Sequence, residues 1–224
     1  MNTLEISNQT LRAALVAAIP HVSEDWTRPH LNSVCVSVRE GKLTICATDG
    51  HRLARWDENT DAIGTFEILI PLDAAKTIAK FTAEKGIVDP MTTLLHDGKT
   101  LTVKRHERSA TFQTVDAKFP MFEEVMPRSI GNTRPSLFNA EYMADACKAF
   151  KDASKVLGLK ENAALFFEAT GENDPCLFTS EQITQLRVVI MPQRSRGAPP
   201  NSIRATVKAK SLKADEKGTS EAAE

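Results

Sequence analysis

One arrangement recurs three times along the 224 residues, and it limits what the chain can fold into. Each time a short apolar strand runs into a polar or proline cap, then a helix, then several short strands. The helices are expected to start near 8, 72 and 139, which are 64 and 67 residues apart, the spacing of an internal repeat. Leu4-Glu5-Ile6 leads the first copy, and Leu11, Leu15 and Ile19 fall at i, i+4 and i+8 of a helix from about Asn8 to Ile19. Phe66 to Ile70 leads the second, which turns helical at Pro71 and runs to about Lys85. Proline is well placed there, because the N–H it lacks has no partner at a helix start. Leu137-Phe138 leads the third, with a helix over about Ala140 to Leu157. The pattern predicts an α+β chain of repeated units, each with one helix packed on antiparallel strands.

Turn chemistry separates the strands. Asp49-Gly50 lies between Leu43-Thr44-Ile45-Cys46 and Leu53-Ala54-Arg55-Trp56, and glycine accepts the positive φ of a tight hairpin without steric cost. Glu40-Gly41-Lys42, Asp97-Gly98-Lys99 and Gly171-Glu172-Asn173-Asp174-Pro175 divide other alternating runs in the same way. Asp49 and His51 also suggest a proton-transfer pair. The sequence has no Gly-x-Ser-x-Gly elbow, His-Glu-x-x-His helix or Cys-x-x-Cys pair to complete a catalytic or metal site, so no enzyme activity and no cofactor are expected.

The formal charge is −1; residues 194–224 carry seven Lys/Arg against four Asp/Glu, or +3, which leaves −4 for the rest. A protein that grips DNA through counterion release is normally basic, so tight static binding by the folded body is not expected. Cys35, Cys46, Cys147 and Cys176 and the histidines at 21, 30, 51, 96 and 106 show no ligand spacing, and all four thiols are read as reduced and structural. No apolar run reaches the roughly 18 residues of a membrane span, and Met1-Asn2-Thr3-Leu4-Glu5 does not read as a signal sequence. A cytoplasmic protein without membrane partners is expected.

Ala47-Thr48-Asp49-Gly50-His51-Arg52-Leu53 resembles a hairpin in the middle domain of the bacterial sliding clamp, the DNA polymerase III beta subunit. Arg28, Leu31-Asn32, Gly41 and Leu43 fall where that family has its approach to the hairpin. The resemblance continues in order through Phe119-Pro120-x-Phe122-x-x-Val125-Met126-Pro127, then Phe138-Asn139-x-x-Tyr142, then Val188-Val189-Ile190-Met191-Pro192-x-Arg194. It implies the DNA-clamp fold, about one and a half clamp domains. Residues 1–131 correspond to the middle domain and 132–194 to the second half of the last domain, and a tail over 195–224, poor in residues to bury, is expected to be disordered.

In that family a hydrophobic groove between the middle and last domains captures peptide motifs of polymerases and repair factors. Carried over, it uses Leu31, Thr48, Gly50, His51, Arg52 and Leu53 from the hairpin side and Pro127 at a strand end. Val189, Ile190, Met191, Pro192 and Arg194 form the far wall, with Asn139 and Tyr142 at the rim. Such a groove suits Leu or Phe anchors, because adaptable Met and branched side chains make a dry pocket. The helices of every clamp half-unit line the central hole. Lys76 and Lys80 of the second helix, and Lys148, Lys151 and Lys155 of the third, therefore face double-stranded DNA, independent of its sequence. In the third helix these lysines oppose a face of Met143, Ala146, Cys147, Phe150 and Leu157. Arg12 on the first helix and Arg28 on its following loop add to the set.

The family's first domain and the first half of its last domain have no counterpart here. The usual dimeric ring cannot close, though twelve half-units make that ring and four copies of this chain would supply them. Two functions stay open: a diminutive processivity clamp that oligomerises around DNA and tethers a polymerase, or a non-encircling adaptor or decoy that captures clamp-binding motifs.

Overall fold

The leading strand of each of the first two repeats does not pair with the strands that follow it. In this computed structural model, which describes residues 1–82, 91–126, 137–159, 163–169 and 174–193, β1 (Asn2–Ser7) enters α1 (Asn8–Ala18) and pairs instead with β6 (Met91–His96) of the second repeat. β5 (Phe66–Pro71), which enters α2 (Leu72–Phe81), pairs back onto β2 (Ser33–Arg39) of the first. The two repeats are thereby interlocked. β3 (Lys42–Thr48) and β4 (Arg52–Asn59) complete the first repeat, and β7 (Thr100–Arg105) and β8 (Arg108–Gln113) complete the second. The third consists of α3 (Ala140–Leu157), β9 (Phe166–Ala169), β10 (Cys176–Thr179) and β11 (Leu186–Ile190). Two antiparallel sheets result, one ordered β1-β6-β7-β8 and the other β5-β2-β3-β4-β11-β10-β9. The second sheet joins the first and third repeats through β4 and β11.

Helix boundaries follow local chemistry. Ser7 caps α1 by accepting from the Thr10 N–H at 3.5 Å, and Asn139 caps α3 by accepting from the Glu141 N–H at 2.8 Å. Gly158 ends α3 with φ +69°, a left-handed conformation that glycine takes without strain. The first helix passes into a short 3₁₀ turn over Ile19–His21, and the second ends at Phe81, short of the expected Lys85, which lies outside the described residues.

Helices α2 and α3 both pack against α1. Ala13, Ala14, Ala17 and Ala18 of α1 and Ala146, Ala149 and Ala153 of α3 are all buried in the main core, where small side chains let backbones approach. The inner face of the large sheet joins that core through Val34, Val36, Ile45, Trp56, Val188 and Ile190. Its outer face is also covered: Cys35, Cys46, Leu53, Leu69 and Val189 pack with Phe119 and Phe122 of the segment after β8. Burial on both faces explains why β2 and β3 read as nearly continuous apolar runs. One thiol departs from expectation. Cys147 is exposed on α3, beside Lys148 and Lys151, while the apolar face turns on Ala146, Ala149, Phe150 and Ala153.

Candidate functional site

The hairpin between β3 and β4 is held by its own polar groups. The Asp49 carboxylate accepts from the backbone N–H of His51 at 2.9 Å and of Arg52 at 3.1 Å. Thr48 Oγ1 donates to the Arg52 carbonyl at 2.7 Å and accepts from the Gly50 N–H at 3.1 Å. Gly50 sits at φ +94°, where a side chain is strained. Asp49 is thus a turn former. Arg52 Nε donates to Asp49 at 2.9 Å, and its other arm pairs with Asp145 of α3. Its guanidinium lies 4.5 Å from the Tyr142 ring centroid, and His51 stacks on the same ring at 6.3 Å. This cluster ties the hairpin to the third repeat.

β11 runs alongside. Leu53 is the register partner of Val189 and Arg52 that of Ile190, and the Met191 N–H donates to the His51 carbonyl at 2.9 Å. A cavity of about 240 Å³ opens over this ladder on the sheet's outer face. Leu31, Thr48, Gly50, His51, Arg52, Leu53, Val189 and Met191 line it, together with His30, Pro120, Met121 and Phe122. Strand alternation sorts the expected wall: Val189 and Met191 face the cavity, whereas Ile190 points the other way, into the core among the helices. Asn139 caps α3, and Tyr142 packs behind the hairpin on His51 and Arg52; neither lines the cavity. Pro192 follows Met191 without lining it, and Pro127 and Arg194 lie outside the described residues.

Four lining residues lie outside the expected set; one is His30, next to Leu31. Pro120, Met121 and Phe122 come from the segment that crosses the outer face after β8, anchored by buried Phe119 and Phe122. The Phe-Pro-x-Phe wording marked the segment, but only the fold shows which side it covers. Behind the hairpin, His21 is fully buried, and its Nδ1 lies 3.1 Å from the Ala17 carbonyl. Burial, with Arg52 nearby, lowers its pKa from the ordinary 6.5 to about 4. A larger cleft of about 930 Å³ opens between β1 and the residues after β4, with Glu5, Glu58 and Asp61 on its walls and none of the expected site residues.

The basic residues occupy the helix layer. Lys76 and Lys80 on α2 and Lys148, Lys151 and Lys155 on α3 are exposed, and Arg12 on α1 is half-buried. Lys76 lies 4.0 Å from Asp73 and Lys155 3.8 Å from Asp152, each one turn away. Arg28 is exposed and pairs with Asp25 at 2.8 Å.

A strand-exchanged pair of helix-and-sheet units, extended by a third across β4 and β11, defines the DNA-clamp fold, and comparison with known proteins names the family. The family described as DNA polymerase III beta subunit, central domain, matches residues 5–121. The chain belongs to the DNA polymerase III beta subunit family. It is similar to the beta sliding clamp of Synechococcus elongatus, 27% identical over 176 residues that make up 76% of this chain and 44% of that one. The Pseudomonas aeruginosa beta sliding clamp is 30% identical over 129 residues, 55% of this chain and 33% of that one. Among solved structures, the DNA polymerase III beta subunit of Thermotoga maritima superposes with a TM-score of 0.72 at 16% identity, covering 87% of this chain and 66% of that one. The chain spans less than half the length of these curated relatives. No helix among the described residues is long and apolar enough to cross a membrane.

Proposed function

We propose that this protein is a sliding-clamp-like accessory factor of DNA replication whose groove between β4, β11 and the Pro120–Phe122 segment captures the clamp-binding peptide motif of a polymerase or repair factor. The observation that carries this reading is the groove itself. Leu31, Leu53, Met121, Phe122, Val189 and Met191 give it an apolar floor and walls, and His51, Arg52 and Thr48 border it with hydrogen-bonding groups. That combination suits an extended peptide with Leu and Phe anchors. In the same reading residues 1–131 form a whole clamp-type domain and 132–194 a half domain. The exposed lysines of α2 and α3, with Arg12 and Arg28, face the phosphates of duplex DNA enclosed by an oligomer of this chain.

The test is a fluorescence anisotropy titration of the full chain with a labelled peptide carrying a polymerase clamp-binding motif. Saturable binding in the micromolar range, about −8 kcal/mol, is expected. No change in anisotropy with folded protein overturns the reading.

A further inference from the structure

The first two repeats diverge just after β4 and β8. Their helices start at Asn8 and Leu72, 64 residues apart, which sets Glu5 of β1 against Leu69 of β5. Past β8 the second repeat lays an extended segment along β5: the Thr114 N–H donates to the Lys99 carbonyl and the Val115 N–H to the Leu69 carbonyl, both at 2.9 Å. The Phe119 N–H then donates to Glu67 of the same strand at 3.2 Å. Past β4 the first repeat reproduces only the first of these bonds, from the Thr60 N–H to the Gly41 carbonyl at 2.9 Å. The chain then turns through Gly64, at φ +97°, into β5, and among the described residues no backbone bond joins Asp61 to β1. The cleft of about 930 Å³ stands where the second repeat carries its segment.

β1 ends the four-stranded sheet, so its side away from β6 offers main-chain N–H and C=O groups to an added strand. Ile6 and Leu43 are buried at the cleft, and Ile63, 94% exposed, stands at its rim with Met91. Glu5, Glu58 and Asp61 line it, and no lysine or arginine does. No ion pair or side-chain hydrogen bond joins these three carboxylates to another described residue. The two repeats also differ in what they present to a segment lying there. Leu69 packs with Phe119 and Phe122 in an apolar cluster, whereas Glu5 in the equivalent position is exposed and charged.

We propose that this cleft docks an extended, lysine- or arginine-bearing peptide segment of a partner protein, added as a strand to the β1 edge. The occupant follows from two observations. The second repeat holds an extended segment on the equivalent edge, so the place is shaped for a strand. The change from Leu69 to Glu5 between the repeats, with Glu58 and Asp61 on the facing wall, turns the side chain such a strand must offer from apolar to cationic. Main-chain bonds to β1 hold the peptide, and its side chains select it. Alternate residues of a strand point the same way, so every second one faces the carboxylates while those between meet Ile63 and Met91. The cleft shares no lining residue with the groove, and the inference goes beyond the proposed function.

The test is fluorescence anisotropy of the full chain with a short labelled peptide of alternating lysine and valine, beside the same pattern in glutamate and valine. A saturable rise is expected with the lysine peptide and none with the glutamate peptide. Replacing the three carboxylates together (Glu5→Gln, Glu58→Gln, Asp61→Asn) should weaken binding about tenfold or more, with an unchanged circular dichroism spectrum and unchanged affinity for the clamp-motif peptide at the groove. A second measurement does not depend on that variant. A copy of the lysine peptide N-methylated on its main-chain amides keeps its charges but loses its donors, and should not bind. In a Cys147→Ser background, Thr3→Cys on β1 should be alkylated by a bromoacetyl form of the lysine peptide, and Thr111→Cys on β8 should not. No rise with folded protein overturns the proposal, as does binding that the triple substitution leaves unchanged. Equal binding of the N-methylated copy also overturns it, because the peptide is then held by charge alone and not as a strand.

Discussion

Leu53 and Val189 face one another across the β4–β11 ladder, and this one register pair fixes both walls of the groove. Each strand alternates its side chains, so placing Leu53 on the outer face also places Val189 and Met191 there and sends Ile190 into the core. Met191 is held at the groove by its own N–H bond to the His51 carbonyl, independently of its side chain. Met191→Ala should therefore keep the ladder intact while removing a flexible anchor contact. Peptide affinity is expected to fall by about 1 to 3 kcal/mol, with a thermal midpoint close to that of the parent protein. Isothermal titration alongside a melt checks both, and equal affinities would remove Met191 from the groove's contact set.

Much of this was legible in the sequence, for particular reasons. Helix starts at Asn8, Leu72 and Ala140 follow from Ser7, Pro71 and Asn139 ahead of apolar periodicity, and the Asp49-Gly50 turn is written in its two residues. Strand exchange is not, because β1 and β5 pair with strands remote in the sequence that no local pattern names. Ile190 was placed on the wall because a continuous Val-Val-Ile-Met run hides which residues face which way when both faces are buried. Cys147 reads as apolar by composition, yet α3 turns it outward with the lysines, since alanines and Phe150 suffice to fill the side toward α1 and the sheet. That Pro120 lines the groove is not legible either, because the segment's path over the sheet depends on where Phe119 and Phe122 are buried.

The alanines of the helix layer carry a packing constraint. Ala149 is fully buried in α3, which packs on α1. Ala149→Leu adds volume that the helices can admit only by moving apart, and should cost about 1 to 3 kcal/mol. Chemical denaturation is the measurement. A variant as stable as the parent would mean that the helix layer is loosely packed.

His21 makes the fold sensitive to mild acid. Burial, then the Arg52 charge, lowers its pKa from 6.5 to about 4, so the folded chain keeps the ring neutral where the unfolded chain protonates it. Between those values the unfolded state binds more protons. Stability should thus be full above pH 6.5 and fall on acidification toward pH 4, by about 3 kcal/mol. Asp97, held near 2 by the N–H groups of Thr100 and then Lys99, loses its contribution only at lower pH. His21→Gln should flatten the slope of stability between pH 6.5 and 4. Parallel slopes for the two proteins would assign that acid sensitivity elsewhere.

The exposed lysines of α3 separate the two surfaces of the molecule. Lys148, Lys151 and Lys155 lie on the helix layer, while the groove opens on the outer face of the sheet, so a change to one should leave the other unaltered. If the helix layer faces duplex DNA, each lysine that neutralises a phosphate releases a counterion and adds close to one unit to the slope of log affinity against log salt. Replacing all three with alanine should therefore weaken association with a short duplex at low salt. It should also reduce that slope by roughly 2 to 3 units. The loss should be the same for unrelated DNA sequences, because no base is read. Peptide affinity should not change. Fluorescence titration of duplex and peptide on the same triple variant decides between the alternatives: a parent-like salt slope would make these lysines ordinary solvated surface, and a simultaneous loss of peptide binding would point to a disturbed fold.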